Sequence, residues 1–253
     1  MLGVYFSGTG NSKYCLEKFL SAYTGEYKLV SIENSEACDM IRQSEEIVIA
    51  YPVYFSNLPK ILRDYIVNNN QIWDGKKIFI IATMGLFSGD GSGVLARLLK
   101  KYGAVITGGL HLKMPDCIAD EKVLKRSREA NAELIRAAEE KILQAASNVR
   151  SGKKQNEGLG FFCQIAGLFG QRLWFNNKTR NYTDKLKISS SCIGCGICEA
   201  KCPMSNIRIE NKKASAGNRC TMCYRCINLC PRKAVTLLGK NVVQQYRLDN
   251  YLK

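Results

Sequence analysis

Hydrophobic and polar positions along the first 150 residues switch between a period of two and a helical period. Residues 1–6 alternate and predict a strand, and a helical pattern then runs through Tyr23. Tyr27–Ile32 and Ile47–Tyr51 predict two more strands and Pro59–Val67 a helix. Lys77–Ala82 predicts a strand, Val94–Tyr102 a helix and Val105–Leu112 a fifth strand. Glu121–Val149 predicts one long helix, with Leu134, Ala138, Ile142, Ala145 and Val149 on a single stripe. Strands alternating with helices predict an α/β domain with an open parallel sheet covered on both faces. Ligands of such sheets bind beyond the carboxyl ends of the strands. The loops predicted at that edge are Ser7–Ser12, Pro52–Asn57 and Thr83–Gly91.

The pattern changes after residue 150. Residues 151–157 read as a polar linker. Gly158–Phe175 is amphipathic, with Leu159, Phe162, Ala166, Phe169 and Leu173 at 3-4-3-4 spacing and Gly160, Gln164, Gly167 and Gln171 opposite. A membrane-surface helix carries Lys and Arg along its polar face, whereas this face is Gly and Gln. An interdomain segment is therefore expected, fixing the following domain to its own chain or to a second copy in a homodimer. The basic run Lys178, Arg180, Lys185 and Lys187 keeps a membrane surface as the second reading. The division expected is 1–150, 151–183 and 184–253.

The last part of the chain carries the most specific signal. Cys192-x2-Cys195-x2-Cys198-x3-Cys202-Pro203 is followed by Cys220-x2-Cys223-x2-Cys226-x3-Cys230-Pro231, the same spacing twice. This is the bacterial run for 4Fe–4S clusters, in which the fourth cysteine serves the other cluster. One cluster is expected on Cys192, Cys195, Cys198 and Cys230, and the other on Cys220, Cys223, Cys226 and Cys202. Zinc would leave two cysteines of each run without a role. A disulfide framework would need an oxidising compartment, and the N-terminus shows no basic-then-apolar leader. No apolar stretch reaches membrane-spanning length either, so a reducing, cytoplasmic setting is expected. Gly194 and Gly196 leave room and free N–H groups near sulfide. Cys15, Cys38, Cys117 and Cys163 have no ligand spacing and read as small core residues.

Charge sharpens the division. Residues 1–119 hold 12 basic and 11 acidic side chains, whereas 151–253 hold 18 and 5. The net +15 of the chain therefore gathers with the cysteine runs. Part of it compensates anionic clusters, and the rest suits an acidic redox partner. No nucleic-acid motif with interleaved aromatics is present, so nucleic acid is not expected.

Ser7, Gly8, Thr9, Gly10, Asn11 and Ser12 lie between a strand and a helix, which is the layout of a phosphate cradle. The plain alternative is a tight turn with a helix cap. No lysine stands at the nucleotide-triphosphate position and no dinucleotide glycine motif is present. This loop resembles the phosphate loop of flavodoxins, which bind FMN. Pro52, Val53, Tyr54, Phe55 and Asn57 sit where flavodoxins place one loop beside the flavin ring. Thr83, Met84, Gly85, Leu86, Phe87, Ser88 and Gly89 sit where they place the second. With the double cysteine motif, the chain resembles a family of flavodoxin–ferredoxin fusion proteins. That resemblance implies a doubly wound five-stranded parallel sheet of order 2-1-3-4-5, then a small α+β ferredoxin-like domain with two 4Fe–4S clusters. The second ring loop here is glycine-rich, and this flavin domain is near neutral where flavodoxins are usually acidic.

Tyr54 is the candidate to stack on the flavin, the alternative being a rim aromatic packed on the next helix. His111, the single histidine, is expected to be structural, and no catalytic residue is legible. A flavin with clusters in one chain implies electron transfer. The alternatives are an FMN-dependent reductase of a small organic substrate, and a redox sensor.

Overall fold

The structure is a computed structural model, and it describes residues 1–160, 162–163, 165 and 185–252. The amphipathic segment expected at 158–175 therefore lies largely outside the described residues.

Five parallel strands form the sheet: β1 (Leu2–Tyr5), β2 (Lys28–Ser31), β3 (Glu46–Pro52), β4 (Lys77–Met84) and β5 (Val105–Lys113), in the order β2-β1-β3-β4-β5. β3 and β4 are buried on both faces, hence their near-continuous apolar runs. Register sets the site: Tyr5 pairs with Ala50, and Pro52 pairs with Thr83. The loops after β1, β3 and β4 thus leave one edge of the sheet together.

Helices close both faces. α1 (Asn11–Tyr23) and α5 (Arg128–Arg150) lie on one, where Leu16, Phe19 and Leu20 meet Ile135 and Ile142. α2 (Ala37–Arg42), α3 (Lys60–Asn68) and α4 (Gly91–Lys100) cover the other, burying Ile41, Leu62, Ile66, Leu95 and Leu99. Each helix turns its apolar stripe to the sheet, which is what binds it there.

Two elements differ from the sequence reading. The long helix begins at Arg128, capped by the Ser127 hydroxyl accepting from the Ala130 N–H at 3.1 Å. Of the residues before it, Lys122–Leu124 form a short turn with no buried side chain. The polar stretch 151–157 is not a free tether: Gly109 N–H donates to Gln155 O and Glu157 N–H to Gly109 O, laying it along β5.

The second domain is small. β6 (Lys187–Ile188) pairs antiparallel with β9 (Val235–Thr236), and β7 (Ile207–Glu210) with β8 (Lys213–Ala216). The short helices α6 (Ile197–Ala200) and α7 (Arg225–Leu229) each follow a cysteine loop. Leu186, Ile207, Tyr224, Ile227 and Val235 form its core. The C-terminal tail returns to the first domain, where Tyr246 and Leu248 are buried against α1 and α5. Among the described residues no helix is long and apolar enough to cross a membrane.

Candidate functional site

The loop Ser7–Ser12 ends at Gly10, whose φ of 102° favours a residue without Cβ. α1 starts there with no side-chain cap and no acidic residue in its first turn. Its leading N–H groups and positive dipole end are therefore open to an anion. Ser7 Oγ is buried with no hydrogen-bond partner. An orphaned hydroxyl beside an uncapped helix start fits a phosphate group. Two further polar side chains of the loop are engaged. Ser12 Oγ shares a 2.8 Å bond with Thr83 Oγ1. Asn11 donates to Pro115 O at 2.9 Å and accepts from the Tyr246 hydroxyl at 2.7 Å.

The cleft above this loop brings together Ser7, Gly8, Thr9, Asn11 and Ser12 with Pro52, Val53 and Tyr54 and with Thr83, Met84 and Gly85. Its third wall, Met114–Ile118 after β5, carries no motif, and sequence reasoning missed it. Asp116 in that wall is held above the usual carboxylate pKa by burial, against the Ile118 N–H and the charges of Lys125 and Arg126.

Other expected residues lie elsewhere. Phe55 and Ser56 take left-handed conformations, φ 50° and 57°, closing a turn between Tyr54 and Asn57. Phe55 packs on the core of the second domain, and Asn57 Oδ1 accepts from the Leu58 N–H. Leu86, Phe87, Ser88 and Gly89 line a neighbouring hollow with His111, Lys141 and Glu157. There Ser92 N–H donates to His111 Nε2 at 3.1 Å, and burial lowers the imidazole pKa. His111 is thus tied to the first turn of α4 through Ser92.

The eight motif cysteines gather as two crossed sets. Cys192, Cys195, Cys198 and Cys230 line one hollow; Cys202, Cys220, Cys223 and Cys226 line another. The two runs follow one backbone path. Gly194 and Gly196 have φ of 66° and 77°, and Met222 and Tyr224, at the same motif positions, have 59° and 57°. Backbone N–H groups reach the sulfurs in matching places. Asn206 N–H donates to Cys202 Sγ and Ala234 N–H to Cys230 Sγ, both at 3.2 Å, each four residues on. Ala214 and Met222 N–H donate to Cys192 and Cys220 Sγ at 3.4 and 3.3 Å. Such bonds favour thiolate and stabilise cluster sulfur. The Cys192 thiol is lowered by them, whereas burial pushes Cys223 up to about 12. Iron at the second set would thus have to displace protons from buried thiols.

The sets differ in surroundings. Cys195 is exposed, but Cys223 is buried and packs with the core of the first domain. A methyl placed on Gly8 would overlap the Cys223 carbonyl, so phosphate loop and second run touch through backbone. Arg225 fastens the contact. Its guanidinium donates to both carboxylate oxygens of Glu33 at 2.8 Å, to Ser7 O at 2.9 Å and to Lys201 O at 3.2 Å. Ile61 N–H donates to Thr221 Oγ1 at 3.2 Å and Asn228 Nδ2 to Cys117 O at 2.8 Å. Asp120 accepts from the Tyr224 hydroxyl and the Leu237 and Leu238 N–H groups. Tyr54 spans the boundary: its ring is half-buried on the cleft, and its buried hydroxyl has no partner. Burial, and the neighbouring Cys117 and Cys223, push its pKa up.

Two family models match separate stretches of the chain. A family model described as a flavodoxin domain matches residues 2–104, and one described as a 4Fe-4S dicluster domain matches residues 178–235. The chain is 43% identical over 47 residues to one component of the ion-translocating oxidoreductase complex of Methanosarcina acetivorans, covering 18% of each protein. It is 30% identical over 64 residues to the putative electron transport protein YsaA of Escherichia coli, covering 22% of this chain and 41% of that one. The chain thus spans less than half the length of these curated relatives. Among solved structures, the Fusobacterium nucleatum flavodoxin bound to flavin mononucleotide is 15% identical, with a TM-score of 0.43 over 60% of this chain and 98% of that one.

Proposed function

We propose that the chain, whose residues 2–104 match a flavodoxin domain and 178–235 a 4Fe-4S dicluster domain, is an electron-transfer flavo-iron-sulfur protein in which electrons pass between two 4Fe–4S clusters and one FMN. The observation that carries this reading is the crossed assembly of eight cysteines, with one set packed against the phosphate loop.

Each residue has a definite task. Cys192, Cys195, Cys198 and Cys230 would hold one cluster, and Cys220, Cys223, Cys226 and Cys202 the other. Ser7, Thr9 and the first-turn N–H groups of α1 would hold the FMN phosphate. Pro52–Tyr54 and Thr83–Gly85 would flank the ring, with Met114–Ile118 closing the third side. When bound, the clusters exchange single electrons and the flavin one or two. The chain's own contribution is distance and rigidity. Arg225, Asp120 and Asn228 hold the second cysteine run on the flavin domain, so no diffusional encounter between domains is needed. Oxygen-sensitive clusters of this kind suit a reducing compartment such as the cytoplasm.

Anaerobically purified protein is expected to carry about eight irons, about eight acid-labile sulfides and about one FMN per chain. Zinc without sulfide would overturn the assignment. Cys202→Ala is expected to damage the centre of the second run, although Cys202 belongs to the first. Electron paramagnetic resonance showing instead loss of the centre at Cys192, Cys195 and Cys198 would refute the crossed pairing.

A further inference from the structure

We infer that the face around Cys195 is a docking surface for an acidic one-electron carrier protein. The inference rests on the two-cluster reading above. The two cysteine sets are alike in backbone, yet among the described residues only one is covered. Thr221, Cys223 and Tyr224 of the second run are buried, with Gly8 and Arg225 fixed over them. In the first run, Cys195 is exposed and stands between Ile193 and Ile197, which are 58% and 38% exposed. Nothing among the described residues covers these two isoleucines.

The rim of this face is basic. Lys212 and Lys213 sit at the tip of the β7–β8 hairpin, where the Lys212 carbonyl abuts Gly194 and Lys213 lies close to Cys192. Arg232 and Lys233 follow Cys230 and are exposed. Residues 185–240 hold 11 basic and 2 acidic side chains, and one of the acids, Glu199, is turned onto the Ile209 N–H at 3.1 Å. An apolar centre within a rim of one sign is the anatomy of a protein-docking face. The complementary partner is a protein with an acidic rim around an apolar centre. An electron lost by its reduced centre would be gained by the cluster that Cys192, Cys195, Cys198 and Cys230 would hold, with no bond made and no proton moved. The second set then stands between this entry and the flavin cleft.

The test uses an acidic two-cluster ferredoxin as probe and the intact, loaded protein. Binding of the oxidised probe is measured by titration calorimetry, and the rate with the reduced probe by stopped-flow absorbance, both across a salt series. Lys212→Glu with Lys213→Glu and Lys233→Glu is expected to weaken binding and slow the reaction about tenfold or more at low salt, and to flatten the salt slope. Lys100→Glu with Lys101→Glu, at the far end of α4, is expected to change neither. Dithionite is expected to reduce all three proteins alike, with iron and sulfide contents equal. Unchanged binding and rate in the triple variant at full iron content would overturn the inference, as would an equal loss in the Lys100/Lys101 control or no binding of the probe by the unaltered protein. Failure of the underlying reading would show separately, as missing sulfide or FMN in the unaltered protein before any probe is added.

Discussion

Replacing Arg225 by Met keeps the aliphatic stem and removes the guanidinium that ties the second cysteine run to the flavin domain. Four hydrogen bonds are lost, two of them a fork onto Glu33. The side chains of Arg225 and Glu33 are 17% and 25% exposed, so solvent screens the pair only partly. Exposed pairs contribute about 0–1 kcal/mol, whereas breaking a buried one costs about 3–5 kcal/mol. A loss of about 2–3 kcal/mol is expected between those limits. For a chain of this size that corresponds to a fall in Tm of about 5–10 °C. Thermal scans should follow cluster absorbance and flavin fluorescence together, because the contact joins both sites. Glu33→Gln is expected to cost less, and the double variant is expected to fall short of the sum of the singles by about 1 kcal/mol or more. A Tm within about 1 °C of the unaltered protein, or strictly additive effects, would refute the reasoning.

Asp120→Ala removes a buried acceptor of three hydrogen bonds and leaves Tyr224 and two backbone N–H groups without a partner. A loss of about 3 kcal/mol or more is expected in denaturant unfolding, and a loss under about 1 kcal/mol would contradict that account. Tyr246→Phe leaves Asn11 Oδ1 without its 2.7 Å donor, at an expected cost of about 1–2 kcal/mol and with weaker FMN retention in dialysis; unchanged retention and stability would show that the tail does not support the loop. Burial, with Lys141 adding to it and Glu157 and Asp90 opposing, holds His111 below the ordinary imidazole value of 6.5. A depressed imidazole contributes stability that is full above that value and is lost as pH falls through the folded-state value. Tm should therefore drop on acidification from about pH 7.5 to about pH 5.5, less steeply in His111→Gln; equal slopes would exclude His111 as a source.

The strands were legible because β1, β3 and β4 carry buried apolar runs between turn-forming loops, and the cysteine runs because iron–sulfur ligation fixes spacing along the chain; the strand order came only from the resemblance to flavodoxins. The strand, loop and helix around Ser7–Ser12 were legible for the same local reason. What could not be read was built from distant residues. Met114–Ile118 carries no motif, and is held as a cleft wall by distant partners, Asn11 on Pro115 O and Asn228 of the second domain on Cys117 O. Arg225 lies between two motif cysteines and finds Glu33 192 positions away. Tyr246 looks like an ordinary tail aromatic until its hydroxyl reaches Asn11. Of the expected ring loop Thr83–Gly89, Thr83–Gly85 line the cleft and Leu86–Gly89 the hollow beside it: position after β4 gives the edge of the sheet, but not which hollow its side chains enter. α5 starts at Arg128 because the Ser127 hydroxyl caps it there, and the residues before it, with no buried side chain in Lys122–Leu124, have no core to hold them as a helix.

The central claim is that phosphate loop and second cysteine run are held together in one chain, so that electrons pass between them without an encounter. Flash photoreduction of the clusters, followed by flavin absorbance at several protein concentrations, addresses it directly. The account predicts a first-order rate of flavin reduction that does not change with concentration. A rate rising in proportion to concentration would contradict it.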